Sequence, residues 1–144
     1  MSVYEVFLDQ WQQCCTGRYK TLLVIPESLA ALPDDMAPER LAETVQAELL
    51  DFKKRYSGRL DQFFTWQSIR NEIYDEAAAR PILVRELELL YAKWEQAERL
   101  AFLKNLLQSE PVHPVLIIII CQEDLSPLKA IASNSRGIIW VPPC

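Results

Sequence analysis

Acidic and polar side chains follow several of the strand-like segments of this 144-residue sequence. Glu86 and Glu88 come after the apolar residues 82–84, and Gln122 begins a polar stretch after the apolar run 115–121. Open α/β sheets bind ligands beyond the carboxyl ends of their strands, so these groups are expected to share one edge. The predicted rim comprises Glu27, Ser28, Glu86, Glu88, Gln122, Glu123 and Asp124. Such carboxylates could bind Mg²⁺, but a set of solvated loop charges is the simpler interpretation.

The first strand-like segment, residues 21–25, does not lead into a phosphate-binding loop. The ten residues that follow read Pro-Glu-Ser-Leu-Ala-Ala-Leu-Pro-Asp-Asp and contain neither glycine nor lysine. A phosphate loop needs glycines so that backbone N–H groups can surround phosphate, a lysine for the terminal phosphates and a hydroxyl for Mg²⁺. We therefore predict no cofactor and no catalytic residue.

The histidine and cysteines do not form a recognisable metal or nucleophile motif. His113, the only histidine, lies between prolines in a predicted turn at the amino end of a strand, away from the expected site. The four cysteines lack CxxC spacing, and two of them are adjacent: Cys14, Cys15, Cys121 and Cys144. This spacing predicts neither a zinc site nor a disulfide framework. We predict no metal site and reduced thiols.

The charge balance favours protein partners over nucleic acid. The formal net charge is −5, and Lys53, Lys54 and Arg55 form the only basic cluster, with Arg59 close behind. A large phosphate-backbone contribution needs more cations than this, so nucleic acid is expected to be met only indirectly. The cluster is predicted to contact a protein partner, although a solvated helix end also explains it.

The composition is typical of a single globular domain spanning residues 1–144. Half of the residues are hydrophobic and 24% are charged. The longest apolar run, residues 115–121, is far shorter than the roughly 20 residues that span a bilayer. Residues 1–11 also lack the basic start of a secretory signal. A cytoplasmic location without membrane contact is the expectation.

Apolar spacing predicts alternating helices and strands. Helices are predicted at residues 2–16, 38–56, 69–79, 94–107 and 126–132, and strands at residues 21–25, 60–66, 82–84, 115–121 and 138–141. On the fourth helix, Glu95 and Arg99 have the spacing of a surface ion pair. This order predicts an α/β three-layer sandwich with a mainly parallel five-stranded sheet, preceded by an amphipathic helix.

The stretch 81–143 resembles the second half of an AAA-type P-loop ATPase core. The likeness lies in an apolar strand ending in acidic residues, a helix, a second apolar strand ending in a polar residue, and a short helix that carries an arginine. The resemblance implies a P-loop NTPase-like fold. It places Glu86 in the Walker B region, Gln122 at the sensor position and Arg136 near the arginine finger, as candidates if nucleotide is bound.

Among small proteins of this layout, the chain resembles noncatalytic clamp-loader-like subunits and small components of bacteriophage-exclusion (BREX) defence systems. The resemblance implies a noncatalytic adaptor or subunit of a larger bacterial assembly that handles nucleic acid, with phage defence as the named setting. Two alternatives stay open. One is a weak nucleotide- or metal-dependent hydrolase that uses Glu86 and an unusual phosphate site, and the other is a self-associating structural protein.

Overall fold

A computed structural model describes residues 2–131 and 137–141. The strands are β1 (Thr21–Pro26), β2 (Glu48–Asp51), β3 (Ile82–Arg85), β4 (Val115–Ile118) and β5 (Ile138–Val141). The helices are α1 (Val3–Thr16), α2 (Pro38–Val45), α3 (Phe52–Arg55), α4 (Trp66–Ala77), α5 (Glu88–Tyr91), α6 (Gln96–Leu107) and α7 (Gln122–Ile131). Two 3₁₀ turns, Leu29–Ala31 and Asp34–Met36, connect β1 to α2.

The five strands form one parallel sheet in the order β2-β3-β4-β1-β5. The predicted α/β class and five-stranded sheet are confirmed, and every strand pairing in the described residues is parallel. The chain crosses the sheet in one direction from β1 to β2 and in the other direction from β2 onward. Right-handed crossovers therefore put the connecting helices on opposite faces.

Helices cover both faces, and each face has its own apolar cluster. Leu22 and Val24 of β1 point to the side of α1 and α2, whereas Leu23 and Ile25 point to the side of α4, α6 and α7. Because both faces are buried, β1 and β4 are continuous apolar runs instead of alternating ones. The sheet therefore forms the middle layer of three.

The central strand is shorter than the predicted residues 115–121. The β4 ladder ends at Ile118, although the backbone N–H of Ile119 still donates to Val24 O at 3.1 Å. The N–H of Ile120 instead donates to the Glu88 carboxylate at 3.1 Å, and the Ile120 side chain is only half-buried. The side chain of the first residue of α5 thus takes the place of the next strand partner.

The single helix predicted over residues 38–56 is wrong. Helix α2 ends at Val45 because Gln46 adopts a left-handed conformation, with φ of 56°. The chain then forms the edge strand β2 and the four-residue helix α3. Asp51, the last residue of β2, caps α3 by accepting a hydrogen bond from Lys54 N.

The strand predicted over residues 60–66 is also wrong, since these residues form an irregular connection into α4. Phe64 packs against the apolar cluster on the α4 and α6 side instead of entering the sheet, whereas Phe63 is exposed. Phe64 contacts the Tyr56 ring edge-on at 4.8 Å, and its carbonyl accepts a hydrogen bond from Trp94 Nε1 at 2.7 Å. Thr65 caps the N-terminus of α4 through a bond from Ser68 N.

The remaining helices follow their predictions more closely. Helix α1 begins with a capping box between Ser2 and Glu5, and it buries Phe7, Trp11 and Cys14, while Cys15 is exposed. Helix α7 begins earlier than the predicted residue 126, and residue 132 lies outside the described part of the chain. None of the described helices is long and apolar enough to cross a membrane.

A buried hydroxyl in β1 gives a first prediction. Thr21 is 2% exposed, and its hydroxyl has no hydrogen-bond partner among the described residues. An unpartnered buried hydroxyl costs about 1–3 kcal/mol, so Thr21→Val should stabilise the fold by about 1 kcal/mol. For a chain of this size we expect Tm to rise by roughly 2–4 °C in differential scanning calorimetry. Thr44→Val is the control, because the Thr44 hydroxyl is exposed and already donates to Arg40 O at 2.8 Å; an equal rise there would contradict this explanation.

Candidate functional site

The carboxyl edge of the sheet contains a switch point between neighbouring strands. The connection that leaves β1 turns to the face of α1 and α2, whereas α7, which follows β4, packs on the opposite face. Ligands of open α/β sheets bind in the crevice that such a divergence creates. The rim residues predicted from the sequence surround this edge.

Two 3₁₀ turns replace a phosphate loop after β1. Ala31 N donates to Ser28 O at 3.1 Å and Met36 N donates to Pro33 O at 2.8 Å, which closes the backbone on itself. Met36 is fully buried and anchors the second turn in the core. The backbone amides of these two residues are therefore occupied within the connection.

The N-terminus of α2 has a reduced capacity to bind an anion. Ala37 provides no side-chain cap, and Pro38 at the first helical position has no N–H group. The pKa of Glu39 is lowered, first by a hydrogen bond from its own backbone N–H and then by Arg85. The chain's own carboxylate thus occupies the place where a phosphate would bind a helix N-terminus.

Arg85, at the end of β3, is surrounded by carboxylates. Its Nη1 donates to Glu39 Oε1 at 2.6 Å, its Nη2 lies 3.4 Å from Glu86 Oε1, and its Nε lies 3.9 Å from Asp51 Oδ2. Three negative charges thus lie within 4 Å of one guanidinium. The positive charge of Arg85 is more than balanced.

Glu86, the Walker B candidate, has an unusual backbone. Its φ of 62° is left-handed, a conformation that costs a residue other than glycine roughly 1–2 kcal/mol. Because of this turn, the two side chains have different partners: Glu86 lies beside Arg85, and Glu88 accepts a hydrogen bond from Ile120 N. Burial raises the pKa of Glu88. Of the two predicted acids, only Glu86 contacts Arg85.

A small cleft opens on the α2 side of this edge. Its volume is about 280 Å³, just below the roughly 300–1,000 Å³ typical of small-molecule sites. Asp34, Glu39 and Arg85 are its charged residues. The apolar part of the wall consists of Ala30, Leu32, Pro33, Ala37 and Pro38.

A buried ion pair lies after β4 and was missed by the sequence prediction. Arg99 of α6 donates through Nε to Asp124 Oδ2 at 2.8 Å, so the predicted surface pairing of Arg99 with Glu95 is wrong. The Asp124 side chain is 1% exposed and also accepts from Tyr91 Oη at 2.5 Å and from Gln96 Nε2 at 3.3 Å. This network fixes α7 to α5 and α6.

The Asp124 carboxylate is ionised despite its burial. Burial alone would raise its pKa, but hydrogen bonds from Arg99, Tyr91 and Gln96 and the charge of Arg99 together lower it. The pKa of Tyr91 is raised by burial and by this bond, so the phenol stays a donor. Asp124 is therefore committed to internal partners instead of projecting from the rim.

The basic cluster is divided by the structure. Arg55 pairs with Glu72 at 2.9 Å and with Glu76 at 2.6 Å, whereas Lys53 and Lys54 are exposed and have no ion pair with a described residue. Helix α3 follows β2, so the two lysines lie at the carboxyl edge. The exposed part of the predicted partner contact is thus next to the candidate site.

Other residues singled out in the sequence lie elsewhere. His113 is at the amino end of β4, where its backbone N–H donates to the Ala77 carbonyl oxygen at 3.1 Å. The side chain of Gln122 and all of Arg136 lie outside the described part of the chain. Burial raises the pKa of both Cys14 and Cys121 to about 12, so these thiols are protonated at neutral pH.

No group of three or more His, Cys, Asp or Glu residues in residues 2–131 and 137–141 is arranged to hold a metal ion. No protein-family model matches the chain, and no curated protein matches its sequence.

Proposed function

We propose that this chain is a noncatalytic adaptor or subunit of a larger bacterial assembly that handles nucleic acid, with phage defence as its setting. The observation that carries the noncatalytic part is the connection between β1 and α2. The backbone amides of Ala31 and Met36 are engaged within the connection, Pro38 lacks an N–H, and Glu39 occupies the helix N-terminus. The sheet then acts as a rigid support for exposed docking residues.

The nucleic-acid setting is supported by the resemblance to an AAA-type core, and the defence setting by the resemblance in size and layout to small components of bacteriophage-exclusion systems. The order β3, α6, β4, α7, β5 follows the alternation on which that resemblance depends. The net charge of −5 supports contact with nucleic acid through a protein partner instead of directly. Lys53 and Lys54 provide a local positive patch for steering that partner.

Negligible nucleotide binding is the direct expectation. Isothermal titration calorimetry of ATP and GTP with Mg²⁺ present should give no dissociation constant below about 100 μM. The physical reason is that the backbone amides of Ala31 and Met36 are already bonded within the connection after β1 and that Arg85 already contacts three carboxylates. Tighter binding would favour the hydrolase alternative, with Glu86 as its first candidate residue.

Partner capture tests the adaptor role. The chain purified from its native host should bring a stoichiometric protein partner, and Lys53→Ala/Lys54→Ala should weaken the association. Arg55 is left unchanged because its ion pairs with Glu72 and Glu76 stabilise the fold. Lys104→Ala/Lys129→Ala removes the same charge from exposed helix positions and should retain the partner.

The same variants separate a protein contact from a DNA contact. Mobility-shift assays on unrelated duplexes at about 150 mM salt should show little retention of DNA by the isolated chain. Sub-micromolar DNA binding that Lys53→Ala/Lys54→Ala abolishes would assign the cluster to DNA and overturn the adaptor proposal.

A further inference from the structure

The cleft beside α2 has the charge of a cation-binding site and the walls of a side-chain pocket. Asp34 has no ion pair with a described residue, and the Glu39 side chain is 65% exposed. Behind them, Asp51 and Glu86 add two more negative charges around Arg85. Even with the nearby charge of Lys54, which lowers the pKa of Glu39, carboxylates outnumber cations.

Anionic ligands do not fit this arrangement. Among the described residues that line the cleft, Arg85 is the only cation, and it already contacts three carboxylates within 4 Å. An incoming phosphate or carboxylate would have to displace Glu39 and would still face Asp34, Asp51 and Glu86. The volume of about 280 Å³ is also small for a nucleotide, given that small-molecule sites start at about 300 Å³.

We propose that this cleft receives an arginine side chain from the protein partner. Asp34 and Glu39 accept its guanidinium at the mouth, and the apolar wall covers its methylene groups. The inference rests on the proposed adaptor function and names the chemistry of the partner's anchor.

An arginine matches both parts of the cleft. Its guanidinium pairs bidentately with a carboxylate and is less strongly hydrated than an ammonium group. Its aliphatic stem packs along apolar surface while the charged head stays polar. Glu39 can accept from the ligand while it keeps its bond to Arg85, because a carboxylate has about four acceptor sites and Arg85 uses one of them on Oε1.

The position of the cleft gives the partner a charge pattern to match. Lys53 and Lys54 lie at the same edge of the sheet as the acidic cleft. A partner segment with an arginine flanked by acidic residues would place the arginine in the cleft and the acidic residues near Lys53 and Lys54. A uniformly basic segment would be repelled by these lysines. Juxtaposed charges of both signs suppress wrong partners in this way.

A small monovalent probe tests the site without avidity or long-range attraction. N-acetyl-arginine amide is titrated into ¹⁵N-labelled full chain and followed by amide chemical shifts, with N-acetyl-citrulline amide as the uncharged counterpart. We expect saturable shifts confined to residues 30–39 and 85, with a dissociation constant of about 1 mM. The citrulline compound should bind at least about tenfold more weakly.

Three variants locate the binding. Asp34→Asn/Glu39→Gln should weaken it at least about tenfold, and Ala30→Trp should block the cleft without a change of charge, from a position that is exposed. Glu43→Gln/Asp75→Asn is the matched control, since it removes the same charge from exposed positions outside the cleft. The dissociation constant of N-acetyl-arginine amide for this control should be within about twofold of that for the unaltered chain.

Several results would overturn the inference: equal binding of the citrulline compound, equal weakening by both double variants, shifts spread over the acidic surface, or no saturation. If one of these results occurs but the chain and its Ala30→Trp variant both still capture a stoichiometric partner, the inference fails and the adaptor role stands. Local, saturable arginine binding without any captured partner supports the site and refutes the adaptor role.

Discussion

Ile118→Asp should unfold the domain. Ile118 is 2% exposed and lies at the end of β4, where it pairs in register with Val24 of β1. An aspartate there would place a carboxyl in the apolar cluster formed by the sheet, α1 and α2. Burial of such a group without a partner costs several kcal/mol, against a typical total stability of about 5–15 kcal/mol.

Circular dichroism and size-exclusion chromatography of the purified variant provide the measurement. Ile118→Val, which removes one methylene group, should lower the stability by only about 0.5–1.5 kcal/mol. Val112→Asp places the same charge on an exposed side chain just before β4 and should melt like the unaltered chain. A soluble Ile118→Asp protein with unchanged melting would refute the assigned position of β4.

Arg99→Met should be the second most damaging substitution at neutral pH. The Arg99 side chain is 17% exposed and pairs with an Asp124 that is 1% exposed, so its loss leaves a buried carboxylate without a cation. Removal of one partner from a buried pair costs about 3–5 kcal/mol. Thermal unfolding at pH 7 should show a Tm lower by roughly 6–20 °C.

The loss should depend on pH in a defined direction. In the unaltered chain the pKa of Asp124 is lowered, so its contribution is present above the unfolded pKa and is lost as pH falls through the folded pKa. Without Arg99, burial raises this pKa and the carboxyl protonates readily. The difference in Tm between the unaltered chain and Arg99→Met should therefore become smaller as the pH is lowered from 7 to about 3.

Lys104→Met is the matched control for Arg99→Met. It removes one positive charge from an exposed position on the same helix. Its Tm should stay close to that of the unaltered chain at every pH. A gap for Arg99→Met that widens on acidification would mean that Asp124 is not the group responsible.

Strands buried on both faces were predictable from the sequence, whereas the edge strand was not. Residues 22–25 and 115–118 are unbroken apolar runs, which only a covered parallel strand explains well. Strand β2 has four residues and one neighbour, and Leu49 and Phe52 continue the helical spacing of α2. The break at Gln46 has no sequence signal, because glutamine rarely adopts a left-handed conformation.

The acidic edge was predictable in outline, but its internal pairing was not. Glu86 and Glu88 follow β3 as expected, yet one turns to Arg85 and the other to Ile120 N. The Asp124 pair was missed because Glu95 offered Arg99 a nearer partner in sequence. A signal did exist: Arg99 is three residues before Phe102 and seven before Leu106, on the stripe that α6 buries.

The strand order has a consequence for the order of folding. The neighbours of β1 in the sheet are β4 and β5, which are the last two strands to be synthesised. At about 5–20 residues per second on the ribosome, β1 waits several seconds before either neighbour exists. Contacts so distant in sequence also slow folding through the entropy of loop closure. The apolar segment Thr21–Pro26 is therefore the part of the nascent chain most in need of protection from aggregation.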